Sequence, residues 1–99
     1  MKEGQIMIYA VVQLTVTTPD TFKAYAEKAG AALAKYGAKP EAMTTEPTRL
    51  EGETPLPDRV VLLSFPNKNA ALGWINDPEL SDVHALRRAS GTCDITLIG

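Results

Sequence analysis

The sequence contains a single histidine, His84, and a single cysteine, Cys93. Zinc and related sites need several His, Cys or carboxylate side chains converging on one point, and these two stand most of a helix and a turn apart, so no metal centre is expected. One cysteine cannot form an internal disulfide, which fits a reducing compartment. Basic runs are equally scarce. Arg87-Arg88 is as long as they get, and the net charge is −2, so nothing here neutralises a row of phosphates or holds an anionic membrane. Neither nucleic acid nor membrane is expected as a partner. The apolar stretch at residues 6–12 is too short to span a bilayer, and no small-residue cleavage site follows it at signal-peptide spacing, which gives a cytoplasmic location as the expectation. Glycines stand singly, without G-x-G-x-x-G, G-K-[ST] or G-x-S-x-G contexts, so a nucleotide cofactor has no visible seat and no serine is presented for His84 to activate. No cofactor is expected; haem, through His84 as a lone axial ligand, is the exception to test.

What is present is ordinary globular material. Ninety-nine residues, 44% apolar and 22% charged, suffice for one core, and the chain reads as one domain over residues 1–99 with a flexible tail at residues 1–5. Ile8–Val16 alternates, Ile8, Ala10, Val12, Leu14 and Val16 on one face against Tyr9, Val11, Gln13 and Thr15 on the other, which predicts a strand. Its second face is too apolar to meet water across a whole sheet, so two sheets are expected to pair face to face in a homodimer.

Thr18-Pro19-Asp20 opens a helix: a hydroxyl to cap, a proline at the first position, and an acid at the positive helix end. Phe22, Tyr25, Ala26, Ala29, Leu33 and Tyr36 then recur at helical spacing, and Gly37 stops the run. Residues 39–50, polar and carrying Pro40 and Pro47, read as an irregular edge strand. Residues 51–58 are a turn-rich connection into Arg59–Phe65, a central strand. Ala70, Ala71, Trp74 and Ile75 share one side of a short second helix. Asn76-Asp77-Pro78 starts a third, expected to reach about Ala89, and residues 93–98 form the last strand. The order is βαββαβ, an α+β ferredoxin-like sandwich with an antiparallel sheet. Single-strand RNA readers share that order, but Arg59–Phe65 lacks their aromatic pair and the sheet lacks their basic residues.

His84 is the one side chain whose ordinary proton affinity suits acid–base work near neutrality. With Leu80, Val83 and Leu86 defining the buried side of the third helix, it falls at the margin, where a solvated or hydrogen-bonded surface group is expected. Arg87 projects between Leu80 and Val83 on the apolar side, so its guanidinium must find a carboxylate, a carbonyl, a ring face or an anionic ligand. The plainer expectation is an internal salt bridge, with Tyr25 and Trp74 filling core. The sharper one is a ligand pocket between sheet and helices, walled by Tyr25 and Trp74, with Arg87 as the anion-binding charge and His84 at its mouth.

Tyr36-Gly37, Leu50-Glu51-Gly52, Pro57-Asp58-Arg59-Val60-Val61, Phe65-Pro66, Ala71, Trp74, Pro78-Glu79 and Leu86-Arg87, in that order, resemble the family called domain of unknown function 1330. The resemblance implies a ferredoxin-like subunit of the dimeric α+β barrel group, whose members include cofactor-free monooxygenases, muconolactone isomerases and haem proteins; for this family it implies no established reaction. The chain departs from the family pattern at Ala38-Lys39-Pro40, at Thr44-Thr45-Glu46-Pro47, at Ser64 in place of a frequent glutamate and at Leu80 in place of a frequent tyrosine. Two functions follow as expectations. The first is a non-catalytic or uncharacterised dimeric α+β barrel domain with no assignable reaction, open to binding a small organic ligand. The alternative is a cofactor-independent enzyme, monooxygenase- or isomerase-like, acting on a small aromatic or acidic substrate.

Overall fold

The period-two pattern forms strand β1 (Ile8–Val16) in a computed structural model that describes residues 7–99. The tail expected at residues 1–5 lies outside the described residues. Ile8, Ala10, Val12 and Leu14 are buried while Tyr9 and Gln13 are exposed, as alternation requires. Helix α1 (Pro19–Ala34) starts where expected, but the Thr18 hydroxyl makes no capping bond. Pro19 has no N–H, which removes one of the unpaired donors at the helix start, and the Thr18 carbonyl accepts from Phe22 N–H as the first helical bond. Gly37, with φ +69°, takes the left-handed turn that releases the chain toward the sheet.

Strand β2 (Lys39–Thr44) ends well short of residue 50 and is bulged between Pro40 and Ala42. The Thr44 hydroxyl accepts from Glu46 N–H and turns the chain out of the ladder. Strand β3 (Arg59–Phe65) lies between β2 and β1. Asn67 caps helix α2 (Lys68–Asn76) by accepting from Ala70 N–H at 2.8 Å.

The third helix is not continuous. Pro78–Leu80 forms one 3₁₀ turn, because Asp77 draws Glu79 N–H to its carboxylate and Leu80 N–H to its carbonyl; helix α3 proper is Ser81–Ala89. A 3₁₀ turn advances about 20° more per residue than an α-helix, so the wheel drawn from residue 78 is rotated. The fully buried line is therefore Leu80, His84 and Arg87, not Leu80, Val83 and Leu86. Strand β4 (Gly91–Ile98) starts earlier than expected, since a Cβ at residue 91 would lie 1.9 Å from the Thr15 carbonyl oxygen and only glycine admits that approach.

The strands pair antiparallel in the order β2-β3-β1-β4, which is the ferredoxin-like arrangement. The helices cover one face, where Ile8, Ala10, Val12, Leu14, Leu63 and Phe65 meet Leu33, Ala71 and Trp74. The body is 17 Å through its thin axis, two layers deep. The uncovered face carries Tyr9, Val11, Val60, Leu62 and Ile98, with Ile98 54% exposed. Among the described residues no helix is long and apolar enough to cross a membrane.

Candidate functional site around Arg87

Residues three apart on a helix share a face, so α3 presents His84 and Arg87 together to the interior. Each is 2% exposed. Arg87 Nη1 donates to His84 Nδ1 at 2.6 Å, and His84 Nε2 donates to the Trp74 carbonyl at 2.8 Å. An arginine has no acceptor, so Nδ1 must be the lone-pair nitrogen and the proton belongs on Nε2. Burial pushes the His84 proton affinity below its usual value, against the pull of the Trp74 carbonyl, and the Arg87 charge adds to the fall. The imidazole is neutral at pH 7. The surface position expected for His84 is thus corrected by the rotated helix phase.

The salt bridge expected for Arg87 is also absent among the described residues: their ion pairs involve Lys35 and Lys39, and none of their carboxylates reaches the guanidinium. Ring faces stand in its place, with the guanidinium carbon 5.9 Å from the centroid of Tyr25 and 5.5 Å from that of Trp74. Around the guanidinium two buried donors, Arg87 Nε and Trp74 Nε1, find no acceptor among the described residues. Burial raises the proton affinity of the Tyr25 phenol and of the half-buried Cys93 thiol, and Arg87 acts in the opposite sense on both.

All four residues singled out from the sequence come together, but not around one cavity. Trp74 walls a cavity of about 150 Å³ with Ala10, Phe65, Ala71, Ile95 and Leu97. Tyr25 walls a separate cleft of about 250 Å³ beneath α1. His84 and Arg87 line neither, and His84 stands at no mouth; the guanidinium occupies the ground between the two rings.

Two features escaped the sequence reading. Arg59 stacks its guanidinium 4.5 Å from the Phe22 centroid on the helix side of the sheet. Its parity with Val61, Leu63 and Phe65 along β3 was the available signal. The other is Asp77, legible only as a cap, whose carboxylate also takes Lys35 and Tyr36. No cluster able to hold a metal ion exists among the described residues. Haem does not fit either, since both His84 ring nitrogens are engaged internally.

Over residues 7–99 the sequence matches the family described as a domain of unknown function, DUF1330. The chain belongs to that family. No functionally curated protein matches it. Among solved structures, this DUF1330 member is similar to a protein of unknown function from Rhodopseudomonas palustris (TM-score 0.71, 20% identity, covering 95% of this chain and 80% of that one). It is also similar to a dimeric ferredoxin-like protein of unknown function from Jannaschia sp. CCS1 (TM-score 0.69, 14% identity, 95% and 99% covered). A third is SnoaB, a cofactor-independent oxygenase from Streptomyces nogalater (TM-score 0.65, 17% identity, 94% and 91% covered). At these identities the likeness is one of fold.

Proposed function

We propose that this chain is a one-domain, cytoplasmic, homodimeric subunit that binds a small flat organic anion between its sheet and helices, at Arg87. The observation that carries the reading is a buried guanidinium with no carboxylate partner among the described residues. An unpaired buried cation costs several kcal/mol, of which ring faces and a neutral imidazole offset only a part. A carboxylate accepts without donating, so it suits the two unfilled donors, Arg87 Nε and Trp74 Nε1. The cavity on the Trp74 side is about the size that takes one benzene ring, and the Trp74 indole stands between it and the guanidinium, whose carbon lies 5.5 Å from the ring centroid.

Binding is favoured over catalysis because none of His84, Tyr25 and Cys93, the titratable groups around Arg87 among the described residues, is ready to move a proton. His84 has both nitrogens engaged, and burial keeps the Tyr25 phenol and the Cys93 thiol in their protonated forms near neutrality. The fold shared with an oxygenase adds no residue to that inventory. Self-pairing rests on the uncovered sheet face with Val11, Val60 and Leu62 at its centre, and fold relatives described as dimeric agree with it. Light scattering at micromolar concentration is expected to report a dimer, and a clean monomer removes that part of the reading.

Arg87→Met tests the anion seat. Methionine suits the apolar surroundings and strands no carboxylate, so the variant is expected to keep its melting temperature while losing calorimetrically measured binding of salicylate. A large fall in melting temperature, with no aromatic acid bound by the parent protein, would make Arg87 a structural residue and end the proposal.

A further inference from the structure

The cleft beneath α1 is a different place from the Arg87 seat. It runs between α1 and the side of the sheet built by β1, β3 and β2, and Val12, Phe22, Leu33, Met43 and Val61 give it apolar walls. Arg59 is the single charged residue in its lining. We propose that this cleft is a second binding site, for a free carboxylate on a short apolar body of the medium-chain fatty acid or arylalkanoate type, with Arg59 as the anion anchor.

Charge sets the ligand's head. Arg59 is partly exposed, has no carboxylate partner among the described residues, and keeps its Nε buried and without an acceptor. Asp58, its neighbour in the chain, turns away to accept from Val16 N–H at 2.9 Å. The remaining guanidinium face is held by Phe22, which fixes the fork's orientation while leaving its edge for a bidentate acceptor. Volume sets the body. A cavity of 150 Å³ takes one benzene, so about 250 Å³ takes a ring with a short linker or a chain of roughly eight carbons.

Access follows from the sequence at both walls. On the helix side Gly30 leaves open space, with nothing within 4 Å of where a Cβ would stand. On the sheet side the rim is the edge strand β2, bulged at Pro40, with Met43 64% exposed as an adaptable apolar flap. Tyr25 separates the cleft from Arg87: the row runs Arg59, Phe22, Tyr25, Arg87, with the two rings 6.1 Å apart. The two arginines therefore answer to different ligands.

The experiment is an NMR titration of the full chain with octanoate and, separately, with 1-octanol. Octanoate is expected to bind saturably and at least tenfold more tightly than the alcohol. Arg59→Gln should erase that preference, because a charge-assisted bond is worth about tenfold or more. Gly30→Leu replaces the poorest non-proline helix former with a good one and fills the cleft, so it should abolish octanoate binding with the melting temperature held or raised. Arg87→Met should leave octanoate affinity unchanged. Equal affinity for acid and alcohol overturns the proposal, as does no binding of octanoate up to about 10 mM. Loss of octanoate binding in Arg87→Met with retention in Arg59→Gln also overturns it, and leaves the Arg87 seat standing.

Discussion

Asp77 and Arg87 are both buried on the helix side of this chain, and their surroundings are opposite in kind. At the corner where α1 meets the α2–α3 junction, the Asp77 carboxylate accepts from Lys35 Nζ at 2.6 Å, from the Tyr36 hydroxyl at 2.6 Å and from Glu79 N–H at 2.8 Å. Those bonds, that from Lys35 first, lower its pKa to about 2. Arg87 has a hydrogen bond to a neutral ring, two aromatic faces, the neutral Tyr25 phenol and Cys93 thiol beside it, and, among the described residues, no acceptor for its Nε. A buried ion with donors on both of its oxygens, one of them a counter-charge, holds elements together; one left short of its counter-charge is poised for something the chain does not itself contain.

The comparison breaks first at Asp77. Asp77→Ala removes the acceptor of three donors at once, and the largest fall in melting temperature of any variant discussed is expected, read by thermal denaturation. Acid titration sharpens the point. The folded carboxyl titrates near 2 and the unfolded one near about 4, so Asp77 contributes stability at pH values above about 4 that disappears as pH falls toward 2. Asp77→Asn is expected to flatten that acid limb, and an unchanged limb would show that another group sets it.

His84→Leu comes next. It leaves Arg87 Nη1 and the Trp74 carbonyl without partners, at roughly 3 kcal/mol by denaturant unfolding. Arg87→Met is expected within about 1 kcal/mol of the parent, since it removes an uncompensated charge and costs His84 Nδ1 one donor. The double variant should cost less than the sum of the two, because each single change strands the other's partner. Cys93 gives the smallest effect. Its thiol reacts slowly with a disulfide reagent at pH 7.5, and more slowly in Arg87→Met, where the charge that lowers its proton affinity is gone.

Most of the fold was readable from periodicity and punctuation. The alternation of β1, the helical stripe from Phe22 to Leu33, and Pro19, Gly37 and Gly91 placed the elements within a few residues. The site was half readable. Helical spacing places Tyr25 and Trp74 on the inner side, but it leaves His84 at the margin, because a continuous helix from Pro78 takes no account of a turn that is 3₁₀. Arg87's partner could not be chosen from sequence at all, since acids far along the chain compete with rings that only the packed α1 and α2 supply. Arg59 shares the parity of Val61, Leu63 and Phe65 along β3, which puts it on the helix side, but its stacking on Phe22 depends on how α1 packs and is not legible in the strand alone.

The central claim is that the Arg87 donors await an anion, and nitrogen–proton correlation spectra of the ¹⁵N-labelled protein read it directly. Titration with salicylate is expected to move the Arg87 Nε–H and Trp74 Nε1–H cross-peaks together, along one saturating curve, with the Arg59 Nε–H peak still. If both peaks stay in place to about 10 mM salicylate, or move only with ionic strength as matched chloride does, Arg87 is no anion seat and the account is contradicted.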